Sequence, residues 1–144
     1  MHSRFAHPAA PLHPVFLPLT CAAVPEAPVE LRAARAAAAG CWFALLGGCD
    51  SADRHHLPRL LDALTGAASE RVERRGGADD LRDHRRRVGR AQQRILDAVQ
   101  EGDGAEYAEA FADYDQVIAS ALASGGARAS AERTGTTRGR QGSP

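Results

Sequence analysis

The stretch from Asp79 to Leu122 constrains the fold more than any other part of the chain. Apolar residues recur there at helical spacing, first at Leu81, Val88, Ala91, Ile95, Ala98 and Val99, then at Tyr107, Phe111, Tyr114, Ile118 and Leu122. Such a period gathers each set onto one face of an α-helix. Glu101-Gly102-Asp103-Gly104 interrupts the pattern between the two sets, as a helix stop and restart would. The two halves also differ in charge. Arg82, Arg85, Arg86, Arg87, Arg90 and Arg94 dominate the first, whereas Asp97, Glu101, Asp103, Glu106, Glu109, Asp113 and Asp115 populate the second with no arginine among them. The expectation is a helical hairpin whose faces complement each other in charge.

Upstream, Leu31, Ala34, Ala38, Cys41, Trp42 and Leu45 form another stripe, entered at Pro28 and stopped by Gly47-Gly48. A further stripe of Leu57, Leu60, Leu61, Leu64, Ala68 and Val72 follows. Its helix starts either at a cap among Asp50, Ser51 and Asp53 or at Pro58, and Gly76-Gly77 ends it. Asp79 and Asp80 then suit the positive end of the next helix dipole. Four helices with short loops pack most simply as an up-down bundle. The fold expected is therefore all-α, a small bundle of about four helices over residues 28–124. Residues 1–27 are a Pro-rich flexible arm, able to lay Phe16 and Leu17 on the body, and residues 125–144 are a disordered, mildly basic tail.

All 18 basic residues are arginine, and the formal net charge is zero. The lack of lysine excludes Schiff-base catalysis on a side-chain amine and a P-loop lysine. A neutral chain offers no overall field to draw it to nucleic acid or a membrane. Three cysteines are too few for a disulfide scaffold and point to reduced thiols. No apolar run reaches the ~18 residues of a membrane span, so a cytoplasmic protein without membrane contact is expected. Dinucleotide and nucleotide phosphate loops, nucleophile elbows and helical zinc motifs are absent, and no cofactor is implied.

Asp80 and His84 stand four apart, on one helical face, where they can share a proton or pair as ions at a helix start. They are the weak catalytic candidates. Cys41, Cys49, His55 and His56 are zinc-type residues at spacings foreign to structural zinc knuckles, and Cys41 falls on an apolar stripe, so no metal site is assigned. Arg82, Arg85, Arg86, Arg87 and Arg90 are the nucleic-acid candidates, yet no aromatic is interleaved to stack on bases. Tyr107, Phe111, Tyr114 and Trp42 are candidate ligand-binding residues, with the phenol hydroxyls as donors, although residues at that spacing are ordinarily core.

Two segments resemble the FCD domain, the all-helical effector domain of many GntR-type regulators. The first is Glu30-Leu31-Arg32 with Leu60-Leu61-Asp62-Ala63-Leu64, and the second is Ile95-Leu96-Asp97-Ala98-Val99 followed by Gly102-Asp103 and the helix from Ala108 to Leu122. The resemblance implies a helical domain that binds a small carboxylate-bearing effector through a metal. The family's metal histidines align with Gln92 and Tyr114, or its Asp-His pair with Phe111 and Asp115, so the metal site is not carried over. Asp80 and His84 keep the Asp-x-x-x-His spacing with Asp83 where an aromatic is usual, and the N-terminal arm is too short for a winged helix.

Three functions follow as expectations. The first is a regulatory or accessory module that binds a small molecule or a protein partner, as a homodimer, without chemistry of its own. The second is a small accessory enzyme using His84, or the His55-His56 pair, with carboxylates. The third is a helical nucleic-acid binder acting through Arg82 to Arg94.

Overall fold

The computed structural model describes residues 15–24 and 27–137, with 124–137 described as backbone alone. Five helices occupy them: α1 (Pro18–Ala23), α2 (Val29–Gly47), α3 (Ala52–Arg74), α4 (Ala78–Glu101) and α5 (Gly104–Thr137). There is no strand among the described residues, and the expected all-α bundle is the fold observed. Helices α2 to α5 run up and down, and α5 packs against each of the other four.

The loops follow from local chemistry. α2 ends where Gly48 turns left-handed (φ 65°) and Cys49 donates its N–H to the Ala44 carbonyl at 3.0 Å. Gly102 ends α4 in the same way (φ 71°), with the Asp103 N–H returning to Ala98 at 2.9 Å. A Cβ is disfavoured at such angles, so these glycines set the turns. The Asp103 carboxylate then accepts the Glu106 N–H at 3.0 Å and starts α5.

Of the two starts expected for α3 the Ser51 cap is the one observed, and the N-terminal arm packs more closely than expected. Helix α3 begins at Ala52, so Pro58 lies inside it rather than in its first turn. The Ser51 hydroxyl caps it by accepting the Arg54 N–H at 3.3 Å, and buried Leu57 anchors the turn before the proline. The Arg54 side chain donates to the Val99 carbonyl at 3.1 Å and closes the end of α4. The N-terminal arm also contributes more than a loose contact, because Phe16 and Leu17 are buried in the main core and α1 is a fifth helix packed on α5. The tail expected from residue 125 lies where no side chain is described, and from 138 onward outside the described residues.

The core is layered by residue size. α2 contributes the small side chains Ala34, Ala37, Ala38 and Cys41, α3 and α4 contribute mostly aliphatics, and α5 contributes Tyr107, Phe111, Tyr114, Ile118 and Leu122. Small residues on α2 let the bulky α5 rings fit between helices, which close packing requires.

Candidate functional site

An apolar recess that involves the aromatic residues lies beside α5, between the N-terminal segment and α2. It encloses about 330 Å³; Val15, Phe16 and Leu19 form one wall, Trp42 another, and Ala108, Phe111 and Ala112 the floor. The alanines are exposed small residues, so the groove exists because α5 carries methyl groups at that height. Val15 and Leu19 are each about half exposed, and Leu46, 63% exposed, continues the apolar surface past Trp42. The neighbourhood of Leu46 and Trp42 at the groove's upper end is Gly104, where a Cβ would sit 3.6 Å from the indole.

The wall carrying Phe16 is held by one carboxylate. Asp115 is buried, accepts the Leu19 N–H at 3.0 Å through Oδ2, and accepts the Thr20 N–H and hydroxyl at 3.0 and 2.6 Å through Oδ1. These amides are orphan donors of the first turn of α1, so Asp115 caps that helix from another element. Leu17, which precedes it, is 1% exposed and has φ 63°, a left-handed conformation that costs a bulky residue free energy. Burial of its side chain and the Asp115 cap hold it there. Phe16 then meets Trp42, Tyr107 and Phe111 at centroid distances of 5.9, 5.5 and 5.1 Å.

The four aromatic ligand candidates divide. Phe111 and Trp42 line the groove. Tyr107 and Tyr114 are fully buried, and their hydroxyls are engaged within the protein, which corrects the expectation that they serve as ligand donors. The Tyr107 hydroxyl donates to the Ala38 carbonyl at 2.7 Å. The Tyr114 hydroxyl lies 2.8 Å from Thr65 Oγ1 and 3.2 Å from the Leu61 carbonyl. Burial pushes both phenols well above the usual tyrosine range and lifts the Cys41 thiol as well. Thr65 also donates to Gln92 Oε1 at 2.8 Å, so Gln92 and Tyr114 meet around one threonine between α3, α4 and α5.

Asp80 and His84 are not brought together. His84 is buried between α3 and α4 with Nε2 3.1 Å from Ser69 Oγ, while Asp80 is exposed beside Gly77. Burial holds the His84 pKa below its ordinary value, and Arg75, Arg85 and Arg87 add to that effect. Among the described residues no three of His, Cys, Asp and Glu gather where a metal could sit. Cys41 is in the core, Cys49 is exposed, and His55 pairs with Asp50 at 3.1 Å on the surface.

The complementary charge of α4 and α5 meets in one place. Arg94 Nε contacts Glu106 at 2.8 Å, and its Nη1 contacts Asp113. The five nucleic-acid candidates lie elsewhere on α4: Arg86 pairs with Asp83 at 2.8 Å and Arg82 with Asp79 at 3.8 Å, along their own helix. Arg85, Arg87 and Arg90 are exposed. The acidic helix therefore leaves those five exposed, so of the two ordinary readings of such a run, neutralisation across the hairpin or a solvated face, the second holds.

Sequence reasoning missed Asp115 as a structural anchor. The signal was present, since Asp115 stands four residues beyond Phe111 and three before Ile118, on the apolar face. An acid at a core position implies a buried partner. No protein-family profile, curated protein or solved structure matches the chain. No helix among the described residues is long and apolar enough to cross a membrane.

Proposed function

We propose that this protein is a small helical binding module of regulatory or accessory type, acting without chemistry of its own, and that its ligand is a small apolar or aromatic molecule seated beside Trp42. The observation that carries the reading is the groove itself: an apolar recess of about 330 Å³ walled by Val15, Phe16, Leu19 and Trp42 over Phe111 and two alanines. Sites for small molecules are concave, mostly apolar and furnished with few polar groups. The resemblance to FCD effector domains is compatible with a ligand-binding role, and Gln92 and Tyr114 do converge around Thr65. In this chain that spot carries an amide and a phenol, so the groove rather than a metal centre is the proposed site.

Trp42 is the sole tryptophan, which makes its emission a direct report on the groove. A library of apolar and aromatic metabolite-sized compounds is titrated while Trp42 fluorescence and melting temperature are followed. A ligand of the folded state gives a saturable emission change and raises the melting temperature. Ala108→Leu, which fills the groove from its floor without adding a second tryptophan, abolishes both responses. Emission that changes with protein concentration alone, together with a doubled mass in sedimentation, assigns the groove to a second copy instead. A monomer whose emission and melting temperature respond to no compound refutes the reading.

A further inference from the structure

We propose that a notch between α4 and α5, built from Arg87, Arg90 and Gln116, binds a small oxyanion of the phosphate class. From α5 the groove described above takes Ala108, Phe111, Ala112 and Asp115, whereas this notch takes Asp113, Gln116 and Val117, so the two recesses are separate. The notch encloses about 180 Å³.

The geometry starts on α4. Arg87, Arg90 and Arg94 follow at three- and four-residue spacing and therefore share one helix face. Arg94 is already ion-paired, with Glu106 on its Nε and Asp113 on Nη1. It is shared between Glu106 and Asp113, the one carboxylate lining the notch, so this trio keeps one net negative charge against the two positive charges of Arg87 and Arg90. Arg87 and Arg90 have no carboxylate partner among the described residues, although Arg86 and Arg82 on the neighbouring face each have one. The recess thus presents two guanidiniums without a paired carboxylate and the Gln116 amide, between the apolar walls of Ala91 and Val117, with a net positive balance. A concave site with a net charge focuses its field on a counter-ion, and low-dielectric walls strengthen that field.

The donor set selects the ligand class. Guanidinium forks match the paired oxygens of phosphate and carboxylate, and two forks with an amide suit a tetrahedral oxyanion better than a planar one. The walls are a methyl and a valine with no aromatic on which a base could stack. A single phosphate group fits, either free phosphate or the head of a small phosphate ester, and a nucleic-acid strand is not what the notch is shaped for.

The test follows the arginine side-chain and backbone NMR signals while inorganic phosphate is added at constant ionic strength, with acetate as the planar comparison. The expected result is saturable shifts at Arg87 Nε, Arg90 Nε and the Gln116 amide, with acetate binding more weakly. Arg87→Gln with Arg90→Gln should weaken binding about tenfold or more, given two lost charge-assisted contacts. Both positions are exposed, and an unchanged backbone spectrum verifies the fold. Arg82→Gln with Arg85→Gln should leave phosphate affinity unchanged. A parallel titration with glycerol 3-phosphate separates the sources: tighter binding than phosphate indicates an ester, and equal binding indicates the free ion. Equal shifts at every arginine, equal loss from both double variants, or a response to single-stranded RNA that depends on Arg82 and Arg85 as much as on Arg87 and Arg90 overturns the proposal. Failure of the groove titration leaves these outcomes untouched, because neither set of reporters touches the other recess.

Discussion

Replacing Asp115 with alanine should release the N-terminal segment while leaving the four long helices folded. The magnitude comes from setting two terms against each other. Docking fixes residues 15–23, and ordering about nine residues costs ~9–18 kcal/mol at ~1–2 kcal/mol each. Burying Phe16 and Leu17 returns ~3–6 kcal/mol, taking ~1.5–3 kcal/mol for each side chain. A helix of 6 residues is far below the length at which it stabilises itself. The three hydrogen bonds to the Asp115 carboxylate, at ~1.5–3 kcal/mol each for a charged acceptor, supply ~5–9 kcal/mol more. With them the sum lies near balance; without them the entropy term wins.

Release has observable consequences that global unfolding does not share. The Leu19 and Thr20 amides should exchange with solvent orders of magnitude faster in Asp115→Ala, while amides of Leu61, Ile95 and Ile118 keep most of their protection. Trp42 should shift its emission to the red as Phe16 leaves its face, and far-UV circular dichroism should fall only slightly. Asp115→Asn should give the same sign with smaller size, since its amide keeps one acceptor but turns donors towards the Leu19 N–H. Unchanged exchange at Leu19 and Thr20 in Asp115→Ala would refute the claim that the carboxylate holds the segment.

Four further outcomes are expected. Leu17→Gly should be more stable than Leu17→Ala by ~1 kcal/mol in urea melts, because both lose the buried side chain and only alanine keeps the strained positive φ. Gly66→Ala, in the middle of α3 with nothing within 4 Å of the new Cβ, should stabilise by ~0.5–1 kcal/mol, measured as a raised urea midpoint. Gly40→Ala should instead destabilise, since its Cβ would lie 2.6 Å from Asp53 Cγ; in an Asp53→Ala background, where only the Cβ at 3.1 Å remains, the same change should cost clearly less, a coupling that a double-mutant cycle reads directly. His84 has a folded pKa below its ordinary value of 6.5, so the unfolded chain binds the extra proton first. Stability is complete above ~6.5 and declines as pH falls towards the folded value, and His84→Gln should lower the difference between urea midpoints at pH 7.5 and 5.5.

Much of the fold was legible because its signals are local. The α5 stripe of Tyr107, Phe111, Tyr114, Ile118 and Leu122 is the buried face of the helix, and Gly102-Asp103 is the turn the sequence promised. What escaped depended on contacts far apart in sequence. Pro18 and its neighbours read as extended chain, yet a carboxylate 95 residues away makes Thr20 part of a helix. Pro58 read as a starting point because a proline removes a backbone donor, but the Ser51 cap and Leu57 outweigh that loss. The candidate site was half legible. Helical spacing alone cannot separate Phe111, which floors the groove, from Tyr107 and Tyr114, which the same stripe sends inward. The difference lies in what α2 places opposite each ring: Ala38 offers Tyr107 a carbonyl, and Trp42 stands off to leave a recess.

The distribution of satisfied and unsatisfied groups bears on binding against catalysis. A general acid or base needs a titratable atom that faces a cavity with a bond still to make. Among the described residues every buried side-chain nitrogen and oxygen already has a partner. His84 faces Ser69, Tyr107 faces the Ala38 carbonyl, and both Asp115 oxygens face α1. At the two proposed sites the free surface is apolar, around Trp42, or permanently cationic, at Arg87 and Arg90, while the exposed His55 and the half-buried Cys21 lie at other recesses. Neither surface can exchange a proton near neutral pH, since an arginine keeps its charge and an indole has none to give. Both can hold a molecule. At the two proposed sites the chain offers apolar surface and guanidinium, which suits holding a molecule, and the emission of Trp42 and the Nε signals of Arg87 and Arg90 are where that binding would be read.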